Sequence, residues 1–192
     1  MADTVQREEL IGLLDRYEKV WNEPEMVEKF RNLVQEPRCS DRNFYPAHLT
    51  ASAMVVTSDF SKMLLTHHRK LNKWLQLGGH AEGSFDMPGT ALRETTEESG
   101  LEKVRIYSWR PDDDAPVLDL DAHLIPAGKE PEHWHYDVRY VVIADEPEKI
   151  AISEESLDLK WFSIEEAYAL CQDTSIVRLI RKLDGLARRN VQ

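Results

Sequence analysis

The chain has 192 residues, of which 42% are hydrophobic and 31% are charged, as in a globular protein of one domain with an extension. The formal net charge of −11 argues against binding to a nucleic-acid polymer, because such binding uses clustered Lys and Arg. A small phosphorylated molecule remains an expected partner, since a few local cations and a metal can hold it on an acidic protein.

Nothing in the sequence indicates a membrane or secretory protein. No apolar run approaches the roughly 20 residues that a membrane span needs. The N-terminus lacks the basic and apolar regions of a signal peptide. The cysteines Cys39 and Cys171 have neither a metal-ligand spacing nor a disulfide framework. We therefore expect no membrane partner and a cytoplasmic location.

Two amphipathic helices are predicted at the start of the chain. Apolar residues recur at helical spacing from Thr4 to about Asn22 and again directly afterwards. The polar, proline-containing segment 36–42 then indicates a boundary. We expect an N-terminal helical extension over residues 1–42, in the form of a hairpin, and a catalytic domain over residues 43–192. The hairpin is interpreted as a packing lid or a dimer element, which is compatible with a homodimer, and a substrate-binding cap is the alternative.

The rest of the chain alternates extended and helical patterns. The runs from His48 to Thr57 and from Lys62 to His67 predict two strands of a hairpin. Further strands are predicted over Trp74 to Leu77, Val104 to Trp109, Ala122 to Ile125, His135 to Ala144 and Leu157 to Phe162. Further helices are predicted over Ile164 to Cys171 and Ser175 to Arg189. Strands on both sides of one central helix, followed by more helices, indicate an α/β fold with a mixed sheet between helical layers.

The most informative segment is a glycine loop followed by a short helix rich in carboxylates, from Gly79 to Leu101. Glu94, Glu97 and Glu98 stand at positions i, i+3 and i+4, so they share one helical face. Like charges at i,i+4 destabilise an isolated helix by roughly 0.2–0.5 kcal/mol per pair. A divalent cation reverses that effect, and hard oxygen ligands suit Mg²⁺ or Mn²⁺. The expected chemistry is metal-assisted attack on a phosphate chain.

Residues around the acidic face have predicted structural roles. Gly78 and Gly79 allow the loop backbone to come close to a ligand. Gly100 suits the left-handed position that ends a helix. Arg93 lies four residues before Glu97, and we expect it to orient that carboxylate through a charge-assisted hydrogen bond.

The segment resembles the Nudix box, whose pattern is Gly, five residues, Glu, seven residues, and then Arg-Glu-aliphatic-x-Glu-Glu-x-Gly-aliphatic. The residues in register with this pattern are Gly79, Arg93, Glu94, Glu97, Glu98, Gly100 and Leu101. Two positions depart from it: Phe85 stands where the pattern has its first Glu, and Thr95 replaces an aliphatic residue. The resemblance implies the Nudix-type α/β/α sandwich as the name of the fold.

The resemblance also implies a function. It predicts a metal-dependent hydrolase that cleaves a phosphoanhydride bond in a nucleoside diphosphate linked to another moiety. The implied cofactor is Mg²⁺ or Mn²⁺. The implied metal-binding residues are Glu94, Glu97, Glu98 and Gly79, and Arg93 completes the catalytic set in the box.

The base that takes a proton from the attacking water has candidates outside the box, because Phe85 removes one acidic position. Glu154 and Glu155 lie in a segment that resembles the late catalytic loop of the family, and the alternative is that both are ordinary exposed loop residues. Phe85 and Thr95 also motivate a second functional hypothesis. In that hypothesis, the protein is a catalytically weak or inactive Nudix-fold module that binds a ligand.

A histidine-rich strand is the remaining candidate for chemistry. Alternate residues of a strand share a face, which gathers His133, His135, Asp137 and Arg139 on one side. Substrate contact, structural hydrogen bonding and a second metal all remain open for this face. The expected substrate-binding residues are His135, Arg139, Trp74, Gln76 and His80. For Trp74, ordinary core packing is an equal alternative.

Overall fold

The computed structural model describes residues 2–190, so the outer limits of the two predicted segments, residues 1 and 192, lie outside the described part. The helices are α1 (Ala2–Trp21), α2 (Pro24–Val34), α3 (Met87–Ser99), α4 (Ile164–Leu170) and α5 (Thr174–Asn190). The strands are β1 (Ala47–Thr57), β2 (Met63–His68), β3 (Lys73–Leu75), β4 (Leu77–His80), β5 (Val104–Ile106), β6 (Asp119–Ile125), β7 (His133–Ala144) and β8 (Ser156–Phe162). A short 3-10 helix spans Pro147–Lys149.

The strands form one mixed sheet with β1 at its centre. β1 runs parallel to β7 along its whole length. On its other edge β1 pairs antiparallel with β2 and with β4. The sheet continues through antiparallel pairs from β2 to β3 and β8, and from β7 to β5 and β6. Parallel and antiparallel pairs occur together, which confirms the predicted mixed sheet.

Helices cover both faces of the sheet. Leu49 and Ala51 of β1 point into a core that α1, α2 and α3 complete. Met54 and Val56 of the same strand point into a second core formed with α4 and α5. This alternation is the period-two pattern of a strand buried on both faces. The predicted α/β/α sandwich is therefore confirmed. Among the described helices, none combines the length and the apolarity needed to cross a membrane.

The N-terminal hairpin shares the main core. The indole Nε1 of Trp21 donates a hydrogen bond to the carbonyl oxygen of Val117 at 3.1 Å. The rings of Phe30 and Tyr136 meet edge to face with centroids 5.1 Å apart. α1 and α2 therefore close one face of the sheet near β6 and β7. The boundary at residue 42 and a role of the hairpin in dimerisation stay predictions.

The strand predicted over Trp74 to Leu77 forms two short strands. β3 pairs with β2 and β4 pairs with β1, so the chain changes partner at Gln76. A Cβ on Gly78 would collide with the hydroxyl and backbone of Ser52. Only glycine therefore lets β4 approach β1 this closely, and this contact across strands could not be predicted from local periodicity.

The strand predicted over Val104 to Trp109 is also shorter than expected, because β5 ends at Ile106. The chain turns after this point, where the hydroxyl of Ser108 donates hydrogen bonds to the carbonyl oxygens of Arg110 at 2.8 Å and Asp113 at 2.7 Å. Side chain to backbone bonds of this kind favour turns over strands.

The two departures from the Nudix box pattern are packing residues. Phe85 is 4% exposed and belongs to the core shared with α1, where the Arg7 guanidinium lies 4.6 Å from its ring centroid. Thr95 is fully buried, and its hydroxyl donates to the Ala91 carbonyl oxygen at 2.7 Å. The one polar atom of the Thr95 side chain is therefore satisfied within α3.

Candidate active site

The start and the end of α3 fix the position of the acidic helix beside β4. The side chain of Asp86 caps the helix by accepting a hydrogen bond from the Gly89 backbone N–H at 2.9 Å. The helix ends at Gly100, whose φ of 69° is left-handed and whose N–H bonds the Thr96 carbonyl oxygen. The predicted role of Gly100 in ending the helix is confirmed.

Two of the acidic side chains contact the glycines of β4. The backbone N–H of Gly78 donates to Glu98 Oε2 at 3.0 Å. The carboxylate of Glu94 lies against Gly79, where an added Cβ would be 2.5 Å from it. A side chain at position 79 would therefore displace the Glu94 carboxylate from its present position.

Arg93 connects the acidic face to the end of β4. Its Nη1 lies 2.8 Å from Glu94 Oε1 and donates to Glu97 Oε2 at 2.9 Å. Its Nη2 donates to the carbonyl oxygen of His80 at 2.8 Å. The contact between Arg93 and Glu97 expected from the sequence is present, and Arg93 restrains Glu94 as well.

The site carries negative charge that its neighbours do not balance. Burial raises the pKa of Glu98 to about 7, the Gly78 N–H opposes this shift, and the charges of Glu94, Glu155 and Glu97 add to it. Burial also raises the pKa of Glu94, although the charge of Arg93 opposes that shift. Such an arrangement favours either a proton or a bound cation.

The late loop brings one of its two glutamates to this site. The charge of Glu155 raises the pKa of both Glu94 and Glu98, so Glu155 lies within electrostatic reach of the acidic face. Glu154 is not among the largest contributors to either shift. Arg69 holds the loop, since its Nε donates to the Glu154 carbonyl oxygen at 3.0 Å and its backbone N–H to that of Glu155 at 3.1 Å. Sequence reasoning missed Arg69 because only the fold brings β2 beside this loop.

One face of the sheet carries a polar stripe formed by Thr50, Ser52 and Asp137. Asp137 of β7 accepts hydrogen bonds from Thr50 Oγ1 at 3.0 Å and from Ser52 Oγ at 2.7 Å. The Nε2 of Gln76 lies 3.5 Å from Asp137 Oδ2, so this side chain points toward the stripe.

The structure gives Arg139 a different place from the phosphate-binding position expected from the sequence. Its side chain is 2% exposed, and it forms ion pairs with three carboxylates, Asp137 at 2.8 Å, Asp121 at 3.0 Å and Asp119 at 3.2 Å. Ser175 accepts a further hydrogen bond from its Nη1 at 2.7 Å. A buried guanidinium that is surrounded in this way has no free donor directed toward solvent. We therefore assign Arg139 to the core of the domain and not to the substrate.

Trp74 packs against aromatic rings of the described structure. Its ring stacks on His67 with centroids 5.0 Å apart and meets Phe162 edge to face at 4.9 Å. These contacts favour the core-packing alternative for Trp74. A contact with substrate stays a prediction.

Histidines form a cluster at the end of the polar stripe. The cluster comprises His48, His80, His123, His133 and His135, which come from β1, β4, β6 and β7. Ring centroids lie 4.8 Å apart for His48 and His135, and 5.0 Å apart for His80 and His135. Burial and the neighbouring imidazoles lower the pKa of His135 to about 2. Burial, followed by the charge of Arg42, lowers the pKa of His80 to about 4. The rings of His80 and His135 are therefore neutral at physiological pH.

Two members of the cluster were missed by the sequence analysis. His48 lies directly opposite His135 in the parallel pairing of β1 and β7, and His123 lies opposite His135 in the pairing of β6 and β7. Neither pairing has a local sequence signal. The remaining indication in the sequence is the high proportion of histidines that fall in predicted strands.

The structure thus combines a mixed sheet between helical layers with a glycine-containing strand that leads into a helix of carboxylates. The chain matches the NUDIX domain family model over residues 47–183, and it belongs to this family. The match begins at β1 and ends within α5. Membership of this family supports a hydrolase of the pyrophosphohydrolase type.

Several solved structures are similar to this chain. A NUDIX family hydrolase from Clostridium perfringens shares 28% sequence identity with a TM-score of 0.56, over 72% of this chain and 97% of that one. A C. elegans Ap4A hydrolase in a binary complex shares 18% identity with a TM-score of 0.57, over 73% and 98% of the two chains. The NUDIX domain of Shewanella oneidensis NrtR complexed with ADP ribose shares 18% identity with a TM-score of 0.51, over 75% and 88%. The last two similarities show the fold alone. Comparison with curated proteins found no sequence match.

Proposed function

We propose that the protein uses Mg²⁺ or Mn²⁺ to hydrolyse the phosphoanhydride bond of a nucleoside diphosphate linked to another moiety. The observation that carries the proposal is the contact of two α3 carboxylates, Glu94 and Glu98, with the glycines of β4. Oxygen donors are the ligands that Mg²⁺ and Mn²⁺ prefer. The raised pKa of both carboxyl groups supports the fit, because a cation relieves the negative charge that they share.

In this proposal, the residues of the site either hold the metal ion or position the residues that hold it. Glu94, Glu97 and Glu98 hold the ion, with the backbone of Gly79 beside them. Arg93 keeps Glu94 and Glu97 in position. When bound, the metal neutralises charge on the diphosphate and acidifies a water.

Glu155 is the proposed general base, and Glu154 is not. Glu155 acts on Glu94 and Glu98 through its charge, which supports a position close to a water bound at the acidic face. A carboxylate in this position accepts the proton of the attacking water as the phosphoanhydride bond breaks. Arg69 positions the loop by its hydrogen bonds to the carbonyl oxygens of Glu154 and Ser156.

The substrate is proposed to lie along the polar face of the sheet, beginning at the glycines of β4. His80, His135 and Gln76 are the proposed contacts for the part of the substrate beyond the diphosphate, with Trp74 at the margin. Ap4A and ADP ribose, which the similar structures are named for, are suitable first compounds because both contain phosphoanhydride bonds.

A substrate screen tests the proposal. Purified protein would be incubated with Ap4A, ADP ribose, nucleotide sugars and nucleoside triphosphates, with Mg²⁺, with Mn²⁺ or with a chelator. We expect metal-dependent release of a mononucleotide or phosphate, and Glu97→Gln should reduce the rate by roughly 100-fold or more. Glu102→Gln, an exposed position just after α3, is the matched control and should keep the wild-type rate. A folded protein that releases no product from any compound would contradict the proposal.

A binding module without turnover is the second candidate. Phe85 occupies the first acidic position of the box and is buried, so one carboxylate of the pattern is missing. Calorimetry separates the two candidates. Ligand binding without hydrolysis, unchanged in Glu97→Gln, would favour the module over the enzyme.

We also propose that the protein acts in the cytoplasm. Cys39 and Cys171 are both buried free thiols, which suits a reducing compartment. A homodimer stays compatible with the exposed side of the N-terminal hairpin. Light scattering during size-exclusion chromatography would give the mass in solution and decide between monomer and dimer.

A further inference from the structure

We infer that His48, His133 and His135 form a second metal site, for a divalent transition metal such as Zn²⁺, separate from the carboxylates of the acidic helix. A second metal was one of three interpretations that the sequence left open for the histidine strand. The fold adds His48, which the sequence did not indicate, and with it a set of three nitrogen donors.

The geometry of the three rings matches a shared ion. One candidate donor atom from each of the three histidines lies within 4.8 Å of the others. The Nε2 atoms of His133 and His135 are 3.1 Å apart. In a tetrahedral zinc site with Zn–N bonds of about 2.0–2.1 Å, two ligand nitrogens are about 3.3 Å apart. The observed separation is therefore close to that of two imidazoles on one ion.

Hydrogen bonds fix the tautomers of two of the three histidines. The Nδ1 of His133 lies 2.7 Å from the Pro131 carbonyl oxygen, and the Nδ1 of His48 lies 3.2 Å from that of Phe44. A carbonyl oxygen only accepts, so both Nδ1 atoms carry the proton and both Nε2 atoms present a lone pair. Metal-binding histidines are commonly oriented by such an outer hydrogen bond.

Unpartnered nitrogens point to a missing ligand. His48 is fully buried, and within residues 2–190 its Nε2 has no hydrogen-bond partner. The Nε2 of His80, next to the same cluster, is likewise buried without a partner in the described part of the chain. Buried polar atoms are nearly always satisfied, so an orphaned lone pair beside two further imidazoles requires an explanation. A bound transition metal satisfies His48, His133 and His135 together.

The surroundings distinguish this site from that of the acidic helix. Glu130 Oε2 lies 3.9 Å from His133 Nε2, while Oε1 of the same carboxylate pairs with Arg42 at 3.4 Å. A carboxylate oxygen is therefore near enough to serve as a further ligand. His123, whose ring centroid is 5.5 Å from that of His135, is held by a hydrogen bond from its Nδ1 to Asp121 Oδ2 at 2.9 Å. Imidazole nitrogens select Zn²⁺, Co²⁺, Ni²⁺ or Cu²⁺ over Mg²⁺, which prefers oxygen. Each site therefore has its own class of metal.

Cobalt binding tests the inference without any substrate. The full chain would be freed of metal with a chelator and titrated with Co²⁺, whose visible absorption reports tetrahedral nitrogen coordination, and Zn²⁺ would then displace it. We expect one equivalent bound, and affinity weaker by about 100-fold or more in His133→Gln and in His135→Gln. His67→Gln is the matched control, because His67 stacks on Trp74 outside the cluster and should leave Co²⁺ binding unchanged.

A variant in the Nudix box distinguishes the histidine site from the proposed catalytic metal site. Glu97→Gln should keep the full Co²⁺ spectrum while it loses activity with Mg²⁺, and a spectrum lost in Glu97→Gln would overturn the inference. X-ray absorption of the zinc-loaded wild-type protein covers the case in which the histidine variants do not fold. A first shell with about three imidazole nitrogens supports the site, whereas a shell of oxygen only, or no uptake of Co²⁺ and Zn²⁺, overturns it.

Discussion

The backbone N–H of Gly78 donates a hydrogen bond to the carboxylate of Glu98 at 3.0 Å. This bond ties the C-terminal end of the acidic helix to β4, which pairs with the central strand β1. Its neighbour Gly79 gives room for Glu94, so the two glycines and the two glutamates are packed as one unit. The site therefore depends on backbone geometry as much as on the identity of its acidic side chains.

Adding a methyl group at position 79 should displace Glu94. In Gly79→Ala, the new Cβ would lie 2.5 Å from the present position of the Glu94 carboxylate, which must move. We expect kcat/KM to fall by about 100-fold, because a displacement of about an ångström is enough for such a loss, while the fold is kept. Gly128→Ala is the matched control, since nothing lies within 4 Å of a Cβ there. An equal loss in both variants would contradict this interpretation.

The contribution of Glu98 to the stability of the metal-free protein should fall as the pH rises from about 4.5 to about 7. The pKa of Glu98 is raised to about 7 by burial and by the charges of Glu94, Glu155 and Glu97, against the Gly78 N–H. At Glu98 the native state therefore binds more protons than the unfolded state in this window, and the contribution of this group to the free energy of unfolding falls by up to ~3 kcal/mol before levelling off. The lowered pKa values of His80 and His135 act in the opposite direction.

Thermal unfolding in the presence of a chelator measures this dependence. The free energy of unfolding of the wild-type protein, relative to that of Glu98→Gln, should fall by up to ~3 kcal/mol between these pH values, because an amide has no proton to lose. If Glu98→Gln kept the same pH dependence as the wild-type protein, the assigned pKa of Glu98 would be wrong.

Replacing Arg139 should destabilise the fold. Arg139→Gln leaves Asp119, Asp121 and Asp137 buried near one another without their central cation. Breaking a buried ion pair by removing one partner costs about 3–5 kcal/mol, which urea unfolding would detect. Arg188→Gln, which breaks an exposed pair with Asp184, is the control and should have little effect. A loss of substrate affinity with unchanged stability would restore the original assignment of Arg139 to phosphate binding.

The two glutamates of the late loop should differ in their effect on turnover. Glu155→Gln removes the proposed base and should lower kcat by about 10²–10⁴, with a small change in KM. Glu154→Gln keeps the loop bonds, which use the backbone carbonyl oxygen of Glu154, and should keep the wild-type kcat. Steady-state kinetics on the substrate found in the screen measures both, and the reverse order of effects would assign the base to Glu154.

The sequence predicted the helices, most strands and the acidic face, because these depend on local periodicity and on a local motif. α2, for example, begins at Pro24 and buries Val27, Phe30, Leu33 and Val34 on one face. The contact between Arg93 and Glu97 was predictable for the same reason, since i,i+4 residues on a helix are neighbours.

Features that depend on pairing between distant strands were not predictable in this way. The break between β3 and β4 follows from the close approach of Gly78 to Ser52 on another strand. The sequence predicts that Arg139 contacts substrate because its true partners cannot be identified from it. Asp119 and Asp121 lie on β6, whose register with β7 has no local sequence signal. His48 lies opposite His135 in the parallel pair of β1 and β7, and this pairing also has no local sequence signal.

The most direct test of the account is equilibrium binding of Mn²⁺, followed by electron paramagnetic resonance, in the wild-type protein and in Glu94→Gln and Glu98→Gln. We predict saturable uptake by the wild-type protein, strengthened by a nucleoside diphosphate compound, and a loss of at least about tenfold in affinity in each variant. The account is contradicted if both folded variants bind Mn²⁺ as tightly as the wild-type protein does, because the acidic helix would then not hold the ion.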